Sequence, residues 1–474
     1  MTVTAHGPLP PVPYDVAVVG AGVVGCAIAR ELARRPGLRI ALVEAQDDVG
    51  QGTSKANTAI LHTGFDAVPG SLEARLVREG SRALAAYAAE SGIPVEPVGA
   101  LLVAWDEEQR AALPRLAEKA ERNECHDTRI LGPADLYARE PRLGPGALGA
   151  LHVPGESIIC PWTTTLAYAT QAVRHGVDLH LNTPVTGVSH TGGPHRLTTG
   201  RGTLTARHLV NAAGLHADAL DRHLGHQDFT VTPRRGQLIV YDKFARDLVR
   251  HILLPVPTAL GKGVLVAPTV YGNVLLGPTA EDLDDKSATG STAGGLALLR
   301  EKGRRILPAL DDEEVTAVYA GLRAATEHDD YAVAAHPGQA CVTVGGIRST
   351  GLTASLALAA HVTGLLEDMG LDGGPARELE PVRMPNLGEA FPRPCRQPEL
   401  VAADPEYGTL VCHCERVSRG EIRDALAGTV PPRTLDGLRR RTRVRAGRCQ
   451  GFHCGAAVRD LWERHRHGPQ EARA

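Results

Sequence analysis

The sequence predicts an α/β chain in three parts: a discontinuous dinucleotide-binding domain, a mainly antiparallel β unit inserted into it, and a small helical cysteine module near the C-terminus. Three observations predict this. Residues Asp15 to Glu44, DVAVVGAGVVGCAIARELARRPGLRIALVE, read as strand, glycine turn, helix and strand. Between Pro233 and Gly277, apolar and polar residues alternate among glycines and prolines, as antiparallel strands do. Cys412, Cys414, Cys449 and Cys454 crowd together beyond a proline-rich stretch.

In the first unit, Val16 to Val19 form an apolar run of strand length, followed by Gly20, Gly22 and Gly25 in the spacing G-x-G-x-x-G. The glycines let backbone N–H groups and the positive end of a helix approach a pyrophosphate. A second apolar strand ends on Glu44, where a carboxylate can accept both hydroxyls of an adenosine ribose. NAD and FAD fit this stretch equally well.

Composition narrows the class. A chain of 474 residues with 43% hydrophobic and 22% charged residues is a soluble globular protein of two or three domains. With aromatic residues at 4%, its core must be built mostly from Ala, Val and Leu. A net charge of −3 gives no general attraction to nucleic acid or to an anionic membrane. Residues 1–14 read as a disordered lead without signal-peptide character, and no apolar run approaches the ~18 residues of a spanning helix. A cytoplasmic location is expected, and Cys26, Cys125, Cys160, Cys341 and Cys395 read as buried thiols.

After Glu44, small and hydroxyl residues from Gly50 to Thr58, Thr53 and Ser54 among them, suit a loop against a phosphate or a flavin edge. His62 follows in Leu61-His62-Thr63-Gly64, as a structural hydrogen bonder or as a general base. Ser71 to Glu90 reads as a helix. Val95 to Ala150 looks like a first excursion from the nucleotide domain, and the strands between Pro233 and Gly277 form a second. The strand Leu204 to Val210 leads into Asn211-Ala212-Ala213-Gly214, small residues that allow tight passage beneath a cofactor. Gly345 to Thr353 is a glycine-dense turn that opens a helix, suited to an anion or to an electron-rich flavin pyrimidine. Arg323 and Arg348 flank it, as solvated arginines or as an anion clamp. Pro381 to Pro405 reads as a linker.

The cysteine module spaces its thiols as C-x-C and C-x4-C, which pre-forms sulfur ligation for zinc or for a 2Fe-2S cluster. His413 and His453 adjoin ligands that already suffice. Arg439, Arg440, Arg441, Arg443, Arg445 and Arg448 read as a solvated basic face, as charge offsetting anionic thiolates, or as a surface for an acidic redox partner. A nucleic-acid patch is disfavoured by the overall charge and the lack of interleaved aromatics.

The glycine turn with Glu44, Ser54-Lys55-Ala56-Asn57, Leu61-His62-Thr63-Gly64, Asn211-Ala212-Ala213-Gly214, Gly277-Pro278-Thr279-Ala280-Glu281-Asp282 and Gly321-Leu322-Arg323, in that order, resemble the FAD-dependent D-amino-acid-oxidase-like superfamily. Within it the likeness is to the glycerol-3-phosphate dehydrogenase and L-2-hydroxyglutarate dehydrogenase branch. The tail, Arg439 to Val444 before Cys449-Gln450-Gly451, is similar to the bacterioferritin-associated-ferredoxin-like 2Fe-2S domain.

The resemblance implies a Rossmann-like FAD domain at about 15–94, 150–225 and 320–380, with a substrate domain at about 95–149 and 226–319. A linker at 381–405, a 2Fe-2S domain at 406–465 and a tail at 466–474 complete the chain. Gly20, Gly22, Gly25, Glu44, Thr53 and Ser54 would surround the ADP and diphosphate of FAD, with Val185 on the adenine side. Ala213, Gly214, Gly346, Gly351, Leu352 and Thr353 would serve the rest. His62 and Arg323 would face substrate, with Arg348 beside them, and Cys412, Cys414, Cys449 and Cys454 would hold the cluster. The implied reaction is hydride transfer to FAD from a small anionic secondary alcohol, either glycerol 3-phosphate or a 2-hydroxy acid such as L-2-hydroxyglutarate. Electrons would leave through the cluster to an external acceptor, a protein or a quinone-linked partner reached by peripheral membrane contact. Glycerol-3-phosphate enzymes often carry lysine after the paired glycines; here Ile347 precedes Arg348, which adds weight to a carboxylate substrate. Two other readings are an amine or amino-acid oxidase on the same fold, and a regulatory binding protein with a structural zinc site.

Overall fold

The computed structural model describes residues 3–257 and 263–467. Among them, one sheet of nine strands is built outward from Tyr14–Val19. Ile40–Val43, Asp178–His180 and Val3–Thr4 follow in parallel on one side, and Gly202–Asn211 pairs in parallel on the other. Cys341–Gly345 extends the sheet beyond Gly202–Asn211, while His195–Thr199 and Val185–Ser189 add an antiparallel flap. Val16 and Val18 enter one apolar cluster, whereas Ala17 and Val19 enter another on the opposite face. Both faces are covered, as a parallel sheet requires, and so the strand reads as an unbroken apolar run. The helices Val23–Leu32, Leu72–Ser91, Pro161–Arg174 and Gly351–Asp368 make the larger of the two covering layers.

A second sheet of nine strands gathers the two excursions. Ala100–Ala104 and Gly149–Val153 from the first meet Thr232–Tyr241, Ile252–Pro255, Leu265–Pro268 and Val274–Gly277 from the second. The long strand Val315–Ala325 lies antiparallel to Thr232–Tyr241 and returns the chain to the first domain. A small third sheet pairs Ile60–Leu61 and Val95–Glu96 with Ser157–Ile159.

Two expectations change. From Val3 to Tyr14 the lead is ordered against the sheet: Arg201 donates to the carbonyls of His6 at 2.9 Å and Gly7 at 3.0 Å, and Leu9 is buried. One guanidinium gathers several carbonyls of a segment with no periodicity of its own, which is why the sequence looks unstructured there. The first two residues and 468–474 of the tail lie outside the described residues. The stretch 381–405 connects the two parts as a packed strap. Val382 and Leu387 are buried, Met384 N–H bonds the Ser91 carbonyl at 2.8 Å, and Arg393 pairs with Glu421 at 2.8 Å.

The terminal module folds three helices, Arg419–Leu426, Leu435–Thr442 and Gly455–His467, around Val417, Ile422, Leu438, Val458 and Trp462. Ser418 and Glu421 form a reciprocal cap at the first of them. The arginine run does not make an open basic face. Arg440, Arg441 and Arg443 are only 6%, 5% and 5% exposed, because they dock the module onto the rest of the chain. Buried Asp48, in the loop after Glu44, accepts from Arg440 at 2.9 Å and from Arg441 at 2.6 and 2.7 Å. Arg443 bonds Glu415 at 2.7 Å and lies 4.1 Å from the Tyr271 ring centroid. Arg448 stays exposed and reaches Asp242 at 3.0 Å. Among the described residues no helix is long and apolar enough to cross a membrane.

Candidate active site and cysteine centre

The glycine turn is tight for steric reasons. Gly20 has φ +105°, and a Cβ there would lie 2.4 Å from the Ala212 carbonyl oxygen, while one at Gly25 would lie 1.8 Å from the Gly20 oxygen. These two glycines bring strand, helix and the Asn211–Gly214 turn together; Gly22 faces the cleft beyond. Glu44 ends its strand and accepts from Ala21 N–H at 2.7 Å and Gln46 N–H at 2.9 Å. Burial still raises its carboxyl above the usual range.

The cleft encloses roughly 1800 Å³ of empty space, its open mouth included. It runs from Gly22 and Val23, at the start of one helix, past Thr53, Ser54 and Asn57 to Gly346, Gly351 and Leu352, at the start of another. Gly214 lines it, and Ala213 sits beside it in the same turn. Ser54 Oγ accepts from Val23 N–H at 2.9 Å, and Thr53 Oγ1 donates to the Leu322 carbonyl at 2.7 Å, so this loop is tied to both domains. Six of the thirteen residues expected at the cofactor stand back from the lining: Gly20 and Gly25 within the turn, Glu44, Ala213, Val185 and Thr353. Val185 packs against the cluster under the flap, and buried Thr353 accepts from His62 N–H at 3.0 Å. A cleft lined by the starts of two helices fits a dinucleotide cofactor carrying a diphosphate, while Glu44 lies outside its lining.

His62, Arg323 and Arg348 all line this cleft. His62 Nδ1 lies 3.0 Å from Glu156 Oε2. Arg323 Nη2 donates to the Thr279 carbonyl at 2.7 Å, and among the described residues no carboxylate forms an ion pair with it. Burial, with Arg234 nearby, lowers the Arg323 guanidinium from its ordinary range, yet a guanidinium keeps its charge. Arg348 is drawn to the cleft edge: it bonds the Asp329 carbonyl and lies 3.7 Å from Glu73. Sequence reasoning missed Glu156 and Asp66, which also lines the cleft. Glu156 had no local signal, since its neighbour His62 comes from a distant strand.

In the terminal module Cys412 and Cys454 are buried, whereas Cys414 and Cys449 are half-exposed. The thiols stand in two pairs, Cys414 with Cys449 and Cys412 with Cys454. N–H groups of His453, Gly451 and Phe452 hold the Cys449 thiol below its usual range; burial and the neighbouring Cys412 push Cys454 up to about 11. Four cysteine sulfurs that interact with one another in one place fit the four-cysteine set of a 2Fe-2S cluster. Among the described residues no three metal-ligating side chains are placed to hold a single ion.

Comparison with known proteins agrees with this geometry. The family model "FAD dependent oxidoreductase" matches residues 15–365, and "BFD-like [2Fe-2S] binding domain" matches residues 410–464. A glycerol 3-phosphate dehydrogenase of Caloramator mitchellensis is 36% identical over 454 residues, 95% of this chain and 94% of that one. A mitochondrial L-2-hydroxyglutarate dehydrogenase of Caenorhabditis elegans is 29% identical over 56% of this chain and 63% of its own length. The structure of dithionite-reduced L-alpha-glycerophosphate oxidase from Mycoplasma pneumoniae with FAD bound superposes with a TM-score of 0.71 at 30% identity, covering 79% of this chain and 97% of that one. With its glycine turn, cleft and paired cysteines matched along nearly the whole length, the chain belongs to the FAD-dependent oxidoreductases of this family and carries a C-terminal BFD-like 2Fe-2S domain.

Proposed function

We propose that the protein is a dehydrogenase of glycerol 3-phosphate that passes electrons from the flavin, through the 2Fe-2S domain, to an external acceptor. One observation carries the reading: an imidazole backed by a carboxylate lines the same cleft as a half-buried guanidinium that, among the described residues, has no ion-paired carboxylate. In support, the relative that matches both domains end to end is named a glycerol 3-phosphate dehydrogenase. When bound, FAD supplies the acceptor for a hydride from the substrate carbon, and the cluster supplies a one-electron outlet.

The protein's own groups do the rest. With Nδ1–H donating to Glu156, the neutral ring carries its lone pair on Nε2, which takes the hydroxyl proton as the carbonyl forms. Arg323 binds the substrate anion and fixes the alcohol carbon in position. The helix beginning at Gly351 directs N–H groups at the cleft, where negative charge accumulates on reduction.

A 2-hydroxy acid is the second reading, because Arg348 is held by Asp329 and Glu73 and leaves one planar fork for a carboxylate. Anaerobic mixing of the yellow, cluster-loaded enzyme separately with glycerol 3-phosphate, L-2-hydroxyglutarate and glycine decides between them. Bleaching by the first supports the proposal, bleaching by the second alone supports the alternative, and bleaching by glycine alone makes the protein an amine oxidase.

A further inference from the structure

We propose that Glu156 is the positioning residue of the active site: its buried carboxylate holds the His62 ring in one orientation and one tautomer, and balances the charge the ring gains on taking the substrate proton. This rests on the reading of His62 as the base.

The placement follows from strand register. Leu61 is paired with Ser157 across two antiparallel strands, so the next residues outward, His62 and Glu156, leave the ladder side by side. The Glu156 side chain is 0% exposed. Its Oε2 meets His62 Nδ1 at 3.0 Å, and its Oε1 accepts from Thr63 N–H at 2.6 Å and Thr63 Oγ1 at 2.9 Å. No lysine or arginine pairs with it among the described residues, so its burial is offset by the donors of His62 and Thr63. Gly155 permits the approach, for a Cβ there would sit 2.8 Å from Thr63 Cγ2. From the opposite side Thr353 Oγ1 holds the His62 N–H at 3.0 Å, so ring and backbone are anchored independently.

A proton arriving on Nε2 makes the ring a cation against a buried anion, and that attraction is strong where water is excluded. Among the described residues, the Cys125 thiol lies 3.9 Å from the Thr63 carbonyl beside Glu156, and Asp66, Arg323 and Arg348 line the same cleft as His62. None of these bonds both His62 and Thr63 as Glu156 does.

The test separates charge from shape. Glu156→Gln keeps an acceptor for Nδ1–H but removes the charge. In single-turnover reduction of the flavin by glycerol 3-phosphate, the plateau rate should fall about 10- to 100-fold. The ascending limb of the pH profile should move down by about one unit, with KM and FAD content within about 2-fold of the parent. Glu156→Asp should return the limb toward its original position. Independently of turnover, 15N resonances of His62, assigned by their loss in His62→Asn, should report the Nδ1–H tautomer in the parent and mixed tautomers in Glu156→Ala. An unmoved limb in Glu156→Gln with an unchanged tautomer in Glu156→Ala overturns the proposal. If Glu156→Ala does not fold, the limb in the Gln and Asp variants decides. Parent-like flavin reduction in His62→Asn would instead remove His62 as base, while the tautomer signal still decides whether Glu156 holds it.

Discussion

His62 leaves a two-residue strand and Arg323 lies near the end of a long one, yet both line one cleft, and their chemistry makes separate predictions. His62→Asn should slow flavin reduction by about 10²- to 10⁴-fold while FAD stays bound, read by anaerobic stopped flow and by the visible spectrum. Arg323→Lys should raise KM for the anionic substrate about 10-fold or more and change kcat less, because a point charge cannot reproduce the planar fork. His62 and Arg323 were legible because short motifs carry them. Glu156 was not, since its contact with His62 comes from strand register. Thr353 was placed at the cofactor by the family resemblance, at the end of a glycine-dense turn, and in the fold its hydroxyl holds the His62 N–H.

Among the elements, the helix Leu435–Thr442 departs most from its appearance in the sequence. Six arginines in a short span look like a surface, and three of them are buried because Asp48 and Glu415 meet them. Asp48→Asn would leave Arg440 and Arg441 buried beside a neutral group, an expected loss of about 3 to 5 kcal/mol. Faster proteolysis within 381–405 and a lower Tm would report it. Cys412→Ser combined with Cys454→Ser should abolish bound iron and reoxidation by one-electron acceptors, and leave substrate-driven flavin reduction intact; iron retained at the parent level would refute the ligand assignment. The strap at 381–405 looked like a linker because prolines exclude helix and strand, although burial of Val382 and Leu387 ties it down all the same.

For the whole molecule, the alternation of glycine turn, strands and helices was enough to place the nucleotide sheet and the inserted one, because their periods are written locally. The lead escaped because its order comes from Arg201 and from His180, which lies 2.9 Å from Thr4 Oγ1 and 3.0 Å from the Tyr14 hydroxyl. Burial lowers the His180 imidazole to about 4. Below its unfolded value near 6.5, the unfolded chain takes up a proton that the folded chain refuses. Stability is therefore full above about pH 6.5 and falls toward pH 4, by up to about 3 kcal/mol. Thermal melts between pH 7.5 and 4.5 should show the decline, and His180→Asn should flatten it.

The clasp at Asp48 bears on how such a fusion is inherited. An aspartate in the flavin domain whose counter-ions belong to another unit commits the two to travel together. A graft of this ferredoxin-like unit onto a free-standing oxidase would have to carry the acidic socket and the Tyr271 platform with it, and excising the unit would leave behind an orphaned anion.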